Sequence, residues 1–224
     1  MNENLPGTTS PAPTPSLTPA GVLAEIAGWP STPNTGHSSH TPADFAALVR
    51  ERGEGALFKG IDERHLTASA IVLSEELDRV LLVFHKKALM WLQPGGHLEP
   101  TDGSLRDAGL REAREETGLR EFSQVLPVPA DINVHQLGGG FTACREHWDV
   151  GFVVIASADA DLAISDESAG LRWFPVDALP EGTDVGGRVR AALTVAQAAE
   201  RRYIDSIVAA RAEGMSNGSE TLEW

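Results

Sequence analysis

Residues Gly95–Leu119 read GGHLEPTDGSLRDAGLREAREETGL, and this run decides how the rest of the chain is read. It divides into a Gly-Gly turn, a short loop and an acid-rich helix that stops at Gly118, the residue type expected in left-handed conformation just past a helix. Ser104 or Asp102 is placed to cap its start. Glu112, Glu115 and Glu116 stand at i, i+3 and i+4, so three carboxylates project from one side of neighbouring turns. Glu112 and Glu116 are like charges four apart, a pairing that costs about a few tenths of a kcal/mol in a bare helix. A divalent cation reverses that sign, since Mg²⁺ takes hard oxygen ligands and binds through one or two carboxylates plus substrate phosphates. The competing reading is a solvated face, with Asp107, Arg111 and Glu115 spaced by four as a salt-bridge ladder. Glu112 stands outside that ladder, because Ala108 and Gly109 precede it, and the base after Glu116, Arg120, lies beyond Gly118. Spacing alone leaves both readings open.

Around this run, 224 residues suit one domain plus extensions, and 42% hydrophobic content allows a sizeable core. The net charge of -14 repels phosphate backbones, which argues against binding a nucleic-acid polymer. A small anionic substrate stays compatible where metal ions neutralise the site. Cys144 is the single cysteine, so no intrachain disulfide is expected, which suits a reducing cytoplasm. No run of 18 apolar residues predicts a membrane span, and the N-terminal stretch lacks the basic-then-apolar pattern of a secretory signal.

The order of elements follows from pattern. Residues 1–20 are rich in Pro, Ser and Thr and are expected to be disordered. Residues 21–60 form a helical extension: PAGVLAEIAGW (Pro19 to Trp29) reads as a short helix. A second starts at the N-cap Thr41 with Pro42 at its first position, carries Phe45, Leu48 and Val49 on one face, and stops at Gly53 or Gly55. Residues 61–214 form the main domain and 215–224 a frayed tail. Within the domain, Thr67–Leu73 and Arg79–His85 read as a hairpin joined by SEELD. Leu126–Val134 reads as strand-like despite Pro127 and Pro129, and HWDVGFVVIA (His147–Ala156) as a central strand. Leu171–Phe174 is another short strand, and Val176–Leu179 a turn of helix. Val185–Ala212 is a helix with Val189, Leu193, Ala196, Tyr203, Ile204 and Ile207 mostly on one face. Interleaved strands and helices predict an α/β sandwich.

The stretch from Gly95 to Leu119 resembles the Nudix box, G-x5-E-x7-R-E-U-x-E-E-x-G-U, with U aliphatic. Arg111, Glu112, Ala113, Glu115, Glu116, Gly118 and Leu119 fall on its second half, Ala113 standing at an aliphatic position. The first half departs from it: Gly96 to Arg111 is one residue longer than the family spacing, and Asp102 stands where the Glu of G-x5-E is expected. GGHLEPTDGSL resembles a subgroup with GGH-x-EP and an extended loop. Weaker resemblance runs from His65 to Pro180, through LTASAIVLSEELDRVLLVFHK, WLQPGGHLEP and LRWFPVDALP. The resemblance implies a mixed sheet between helices. It also implies a pyrophosphohydrolase that cleaves a diphosphate linked to another moiety, a nucleoside diphosphate derivative or similar small molecule, with Mg²⁺ or Mn²⁺.

Carried over by position, the resemblance makes Glu112 and Glu116 the direct metal ligands, with Glu115 completing the set directly or through water and the Gly95 carbonyl as a backbone ligand. Arg111 would orient the glutamates, as outer-shell groups do; the salt-bridge ladder is its plainer role, and the two are compatible. The general base is a glutamate of the box or a later one. Glu167, six residues before Trp173 in ESAGLRW, resembles such a late Glu and equally suits an exposed loop. Glu99 and His97 precede the helix as substrate-side candidates, His97 either structural or touching phosphate, while Asp102 suits a helix-end acid. His147 and Asp149 share one strand face and either line the pocket or form a satisfied pair. Trp91, Trp148 and Trp173 sit beside apolar runs and read as core, and Lys86 and Lys87 as a solubilising turn. Two other functions compete. A catalytically silent metabolite-binding regulator is opposed by the intact glutamates. An isoprenyl diphosphate isomerase is disfavoured by Cys144 standing outside any partner motif. Nudix proteins often pair, which leaves a homodimer open.

Overall fold

The computed structural model describes residues 17–30, 39–137, 144–166 and 168–216. Two helices open it, α1 (Pro19–Ala27) and α2 (Pro42–Arg52). Thr18 caps α1 by accepting from the Gly21 N–H at 3.1 Å. At α2 the Asp44 carboxylate reaches back to the Thr41 N–H at 2.7 Å and accepts from its hydroxyl at 2.8 Å. Pro42 then supplies the helical φ without a missing donor. The expected Thr41–Pro42 start of α2 and its stop at Gly53 are met, whereas α1 ends at Ala27, short of Trp29, and its cap Thr18 is a finding of the structure.

A seven-stranded mixed sheet follows: β1 (Arg64–Ser74), β2 (Arg79–His85), β3 (Met90–Leu92), β4 (Gly95–His97), β5 (Gln124–Gln136), β6 (Glu146–Ala156) and β7 (Ser168–Pro175). Its centre is the parallel pair β1–β6, in register from Arg64 opposite Glu146 to Ser74 opposite Ala156. β1 is buried along nearly its whole length, as a strand covered on both faces must be. β1 and β2 touch only at Val72–Leu73 and Val80–Leu81, then splay apart. β3 fills the gap against β2, and β4 fills it against β1, where Thr67, Ala68 and Ser69 face His97, Gly96 and Gly95. This wedge carries the Gly-Gly turn to the centre of the sheet. β7 closes the far side of β2, and β5 lies antiparallel on β6. β5 runs through Pro127 and Pro129, as the sequence suggested. Its register shifts around Pro129, where ring nitrogens lack the ladder donor.

Alternation along β1 sets the layers. Leu66 and Ala68 pack with Leu105 and Ala108 of α3 (Leu105–Thr117) and with Val22, Ile26, Phe45 and Val49 of α1 and α2. Ala70 and Val72 meet Ala113 and Leu119. On the other face Ile71 and Leu73 pack with Val189, Ala192 and Ala196 of α4 (Gly186–Ser216). The N-terminal helices thus share one core with α3 and the sheet.

Two details depart from expectation. Val176–Leu179 makes a turn, not helix, with the Ala178 N–H on the Pro175 carbonyl at 3.1 Å. The apolar face of α4 is covered only in its first half. Tyr203 is 68% exposed and Ile204 is exposed as well, because the helix runs past the sheet there. Helical spacing registers a face but not whether a layer lies beneath it. The expected tail and N-terminal disorder fall largely on residues outside those described.

Candidate active site around the carboxylate face of α3

Helix α3 is held at both ends. At its start, Ser104 accepts from the Asp107 N–H at 3.0 Å. Glu25 of α1 accepts from the Leu105 N–H, also at 3.0 Å. Burial raises the Glu25 pKa, partly offset by the Leu105 and Arg106 amides that its charge accepts from. At its end, Gly118 adopts φ +74° and a Cβ there would lie 2.6 Å from the Ala163 Cβ, so the stop needs glycine twice over.

Arg111 organises the face. Its guanidinium donates to Asp102 through Nε (3.0 Å) and Nη2 (3.2 Å), to Glu112 Oε1 (2.8 Å), to Glu115 Oε2 (3.2 Å) and to the His97 carbonyl (2.9 Å). Burial works against its charge. The Asp102 hydrogen bonds and the Glu112 charge outweigh that and raise its pKa. The Glu99 carboxylate approaches Nε at 4.0 Å from the solvent side. Asp107, the third member of the imagined ladder, is not among the arginine's ion-pair partners. Asp102 takes its place, only 6% exposed and also accepting from the Glu99 N–H at 2.8 Å. Sequence spacing saw Asp102 as a helix-end acid; the turn of the lengthened loop instead aims it at Arg111.

The three glutamates differ in setting. Glu116 is 7% exposed and accepts from the Gly95 N–H at 3.4 Å. Glu112 is largely buried beside Gly96, and burial raises its pKa against the opposing pull of Arg111. The Glu115 side chain is 58% exposed at the rim. A Cβ on Gly96 would fall 2.6 Å from Glu112 Oε1, so the bare backbone of β4 is what lets that carboxylate lie across the strand. Two half-desolvated carboxylates held against glycine backbone form an oxygen-rich cradle, and hard divalent ions take such donors.

His97 stands on the other side of β4. Successive strand residues point to opposite faces, and its ring lies 5.2 Å from that of His65 and 4.9 Å from that of His147. The structure therefore joins His97 to the carboxylates only through its backbone carbonyl. His147 joins the same histidine group, while Asp149 is buried in an ion-pair cluster with Arg188 of α4 at 2.5 Å, Thr67 at 2.8 Å and Ser69 at 2.7 Å. Asp131 lies 3.3 Å from the Arg188 Nε, and the His135 Nε2 accepts from Nη2 at 2.7 Å. Burial opposes both charges of the Asp149–Arg188 pair. Their mutual attraction wins, lowering the pKa of Asp149 and raising that of Arg188. The sequence pointed to the HWD face but carried no sign of Arg188 or Asp131. Trp148 is buried in one apolar cluster, and Trp91 and Trp173 each pack, partly buried, against another, as their surroundings suggested. Lys86 donates to the Asp166 carbonyl at 2.5 Å. Glu167 lies outside the described residues.

Residues 63–189 match the model of the NUDIX domain. A Bacillus subtilis (strain 168) protein, whose name assigns it provisionally as an 8-oxo-dGTP diphosphatase, is 34% identical over 113 residues, 50% of this chain and 68% of its own. A Danio rerio m7GpppN-mRNA hydrolase NUDT17 is 30% identical over 131 residues, which cover 54% of this chain and 40% of that protein. A crystal structure of a NUDIX-family hydrolase from Clostridium perfringens superposes with a TM-score of 0.45 at 23% identity, covering 58% of this chain and 95% of that one. The chain belongs to the Nudix family and is a hydrolase of that type. It spans well under half the length of the vertebrate relatives it matches. No helix among the described residues is long and apolar enough to cross a membrane.

Proposed function

We propose that the chain hydrolyses the diphosphate bond of a nucleoside diphosphate derivative or similar small molecule at the carboxylate face of α3, with Mg²⁺ or Mn²⁺. The observation that carries this reading is the pair Glu112 and Glu116, both largely buried and both laid against Gly95–Gly96. Without a cation, two such like charges on one face are unfavourable, and the Arg111 that pairs with Glu112 is shared with Asp102 and Glu115. The donor set suits a hard divalent ion, held by Glu112 and Glu116 with Glu115 at the rim and the Gly95 carbonyl alongside. When bound, such an ion lowers the pKa of water and neutralises charge on the leaving phosphate.

The residues do the rest by position. Arg111, anchored on Asp102, holds Glu112 and Glu115 in place and keeps β4 docked through the His97 carbonyl. Glu99, on the solvent side, stands where an incoming substrate meets the loop. Glu115 or Glu167 is left as the base. The chain's acidity disfavours nucleic-acid polymers and leaves a small ligand, whose charge only a metal-filled site would offset. The bacterial relative's name suggests oxidised purine nucleoside triphosphates and the vertebrate one a cap structure; both are arms of the test. The test is a panel of diphosphate compounds incubated with Mg²⁺ or Mn²⁺ and read by phosphate released after phosphatase coupling. Metal-dependent release from at least one nucleoside diphosphate derivative is expected. Tight nucleotide binding with no metal-dependent product would contradict hydrolysis and favour a silent regulator.

A further inference from the structure

On the sheet face opposite the glutamates, four side chains from four segments converge. His65 of β1, His97 of β4 and His147 of β6 join Cys144, just before β6, and one potential ligand atom from each lies within 4.8 Å of every other. We infer that these four residues form a second metal site, separate from the carboxylate cradle, that binds a borderline-soft divalent ion of the Zn²⁺ type.

The geometry comes from the sheet. His65 pairs with His147 across the parallel β1–β6 ladder, and His97 pairs with Thr67 across β1–β4. Directly paired residues share a face, so the three rings are forced together, with centroids 4.9–5.2 Å apart. Their chemistry is unsettled without a ligand. The Nε2 atoms of His65, His97 and His147 are all buried and have no hydrogen-bond partner among the described residues. Buried polar atoms are otherwise nearly always paired. The Nδ1 of His65 faces the Asp62 carbonyl at 3.2 Å, a contact that places the proton on Nδ1 and the lone pair on Nε2. A ligating histidine uses just such a carbonyl to fix its tautomer.

Three imidazoles and a thiol are the wrong donors for Mg²⁺ and the right ones for Zn²⁺. A tetrahedral Zn²⁺ with nitrogen at about 2.0 Å and sulfur at about 2.3 Å spaces its ligands about 3.3–3.6 Å apart. The four donors therefore close on an ion by small side-chain rotations. Cys144 loses its proton to solvent as the sulfur–metal bond forms, and nothing is oxidised or reduced. Four protein ligands leave no open position, the pattern of a structural rather than a catalytic ion. The ion would tie β1, β4 and β6 at the point where β4 delivers Gly96 to Glu112.

The test uses untagged protein, freed of metal by chelator and then held in excess Mg²⁺ so that carboxylate sites are filled. Titration with Co²⁺ should give a one-equivalent end point, tetrahedral d–d absorption and a thiolate-to-cobalt charge-transfer band, all displaced by Zn²⁺. Cys144→Ser should abolish the charge-transfer band. His147→Ala should weaken Zn²⁺ binding by more than the roughly 10–100-fold typical of losing an outer-shell partner. An octahedral spectrum, or the absence of a thiolate-to-cobalt band in the unaltered protein, would overturn the site. Should the variants fail to fold, zinc-edge X-ray absorption on the unaltered protein decides. A shell of nitrogen plus one sulfur supports the assignment, and an oxygen-only shell refutes it. None of these readouts depends on diphosphate hydrolysis, so an inactive carboxylate face leaves them unchanged.

Discussion

At the scale of single residues, the site depends on what is missing from Gly96 as much as on what Glu112 brings. Gly96→Ala would put a methyl group 2.6 Å from Glu112 Oε1, and the carboxylate must leave. The expected result is a folded protein, by circular dichroism, with metal-dependent turnover down by about 100-fold or more, the scale of a misplaced catalytic group. Arg111→Lys keeps the charge but cannot span Asp102, Glu112 and the His97 carbonyl together. Turnover should fall by about 10–100-fold, measured at saturating Mg²⁺. Asp149 tests the opposite face by pH. Arg188 holds its carboxyl below the ordinary value of 3.8, against the cost of burial. The unfolded chain takes up that proton first as pH falls. The stabilisation is therefore complete above the unfolded value and is lost as pH drops through the lower, folded one. The melting temperature should drop steeply below about pH 4. Asp149→Asn should start lower, having taken from the buried Arg188 the nearer of its two carboxylate partners, and show a flatter acid limb.

At the scale of elements, what could be read from sequence was what is decided locally. The Gly118 stop, the Thr41–Pro42 start and the β1–β2 hairpin rest on neighbours a few residues apart, and each lies where its residues placed it. The pairing of β1 with β6 joins residues 82 apart, as Thr67 and Asp149 show. Parallel register leaves no local mark in sequence, so the meeting of His65 with His147 was invisible, although HWD had flagged its face. The Asp102–Arg111 pairing is illegible for a similar reason: the lengthened loop turns this helix-end acid inward, and loop conformation is not written in spacing. Glu25 is a further case, a cap supplied to α3 from another helix 80 residues earlier. Glu25→Ala should remove the acceptor of the Leu105 and Arg106 amides and cost about 0.5–2 kcal/mol, read from urea unfolding, with the loss concentrated in α3 amide exchange.

At the scale of the whole molecule, the residues before β1 act as part of the core, not as an appendage. Phe45 is fully buried and meets Trp148 edge-on at 5.0 Å, so α2 packs directly on the central strand β6. Phe45→Ala should cost about 3–5 kcal/mol. A chain lacking residues 1–60 should lose its cooperative unfolding transition in calorimetry; a truncated chain that melts like the full one would show the helices to be dispensable. The fold then serves one end: the sheet's wedge carries glycine backbone to the carboxylates, and α1, α2 and the sheet clamp the helix that bears them. The most direct measurement of this claim is the Mg²⁺ dependence of diphosphate hydrolysis in the unaltered protein and in Glu116→Gln. Saturable dependence in the first and a loss of about 100-fold or more in the second is the expected result. Full turnover by Glu116→Gln, or hydrolysis indifferent to metal, would contradict it.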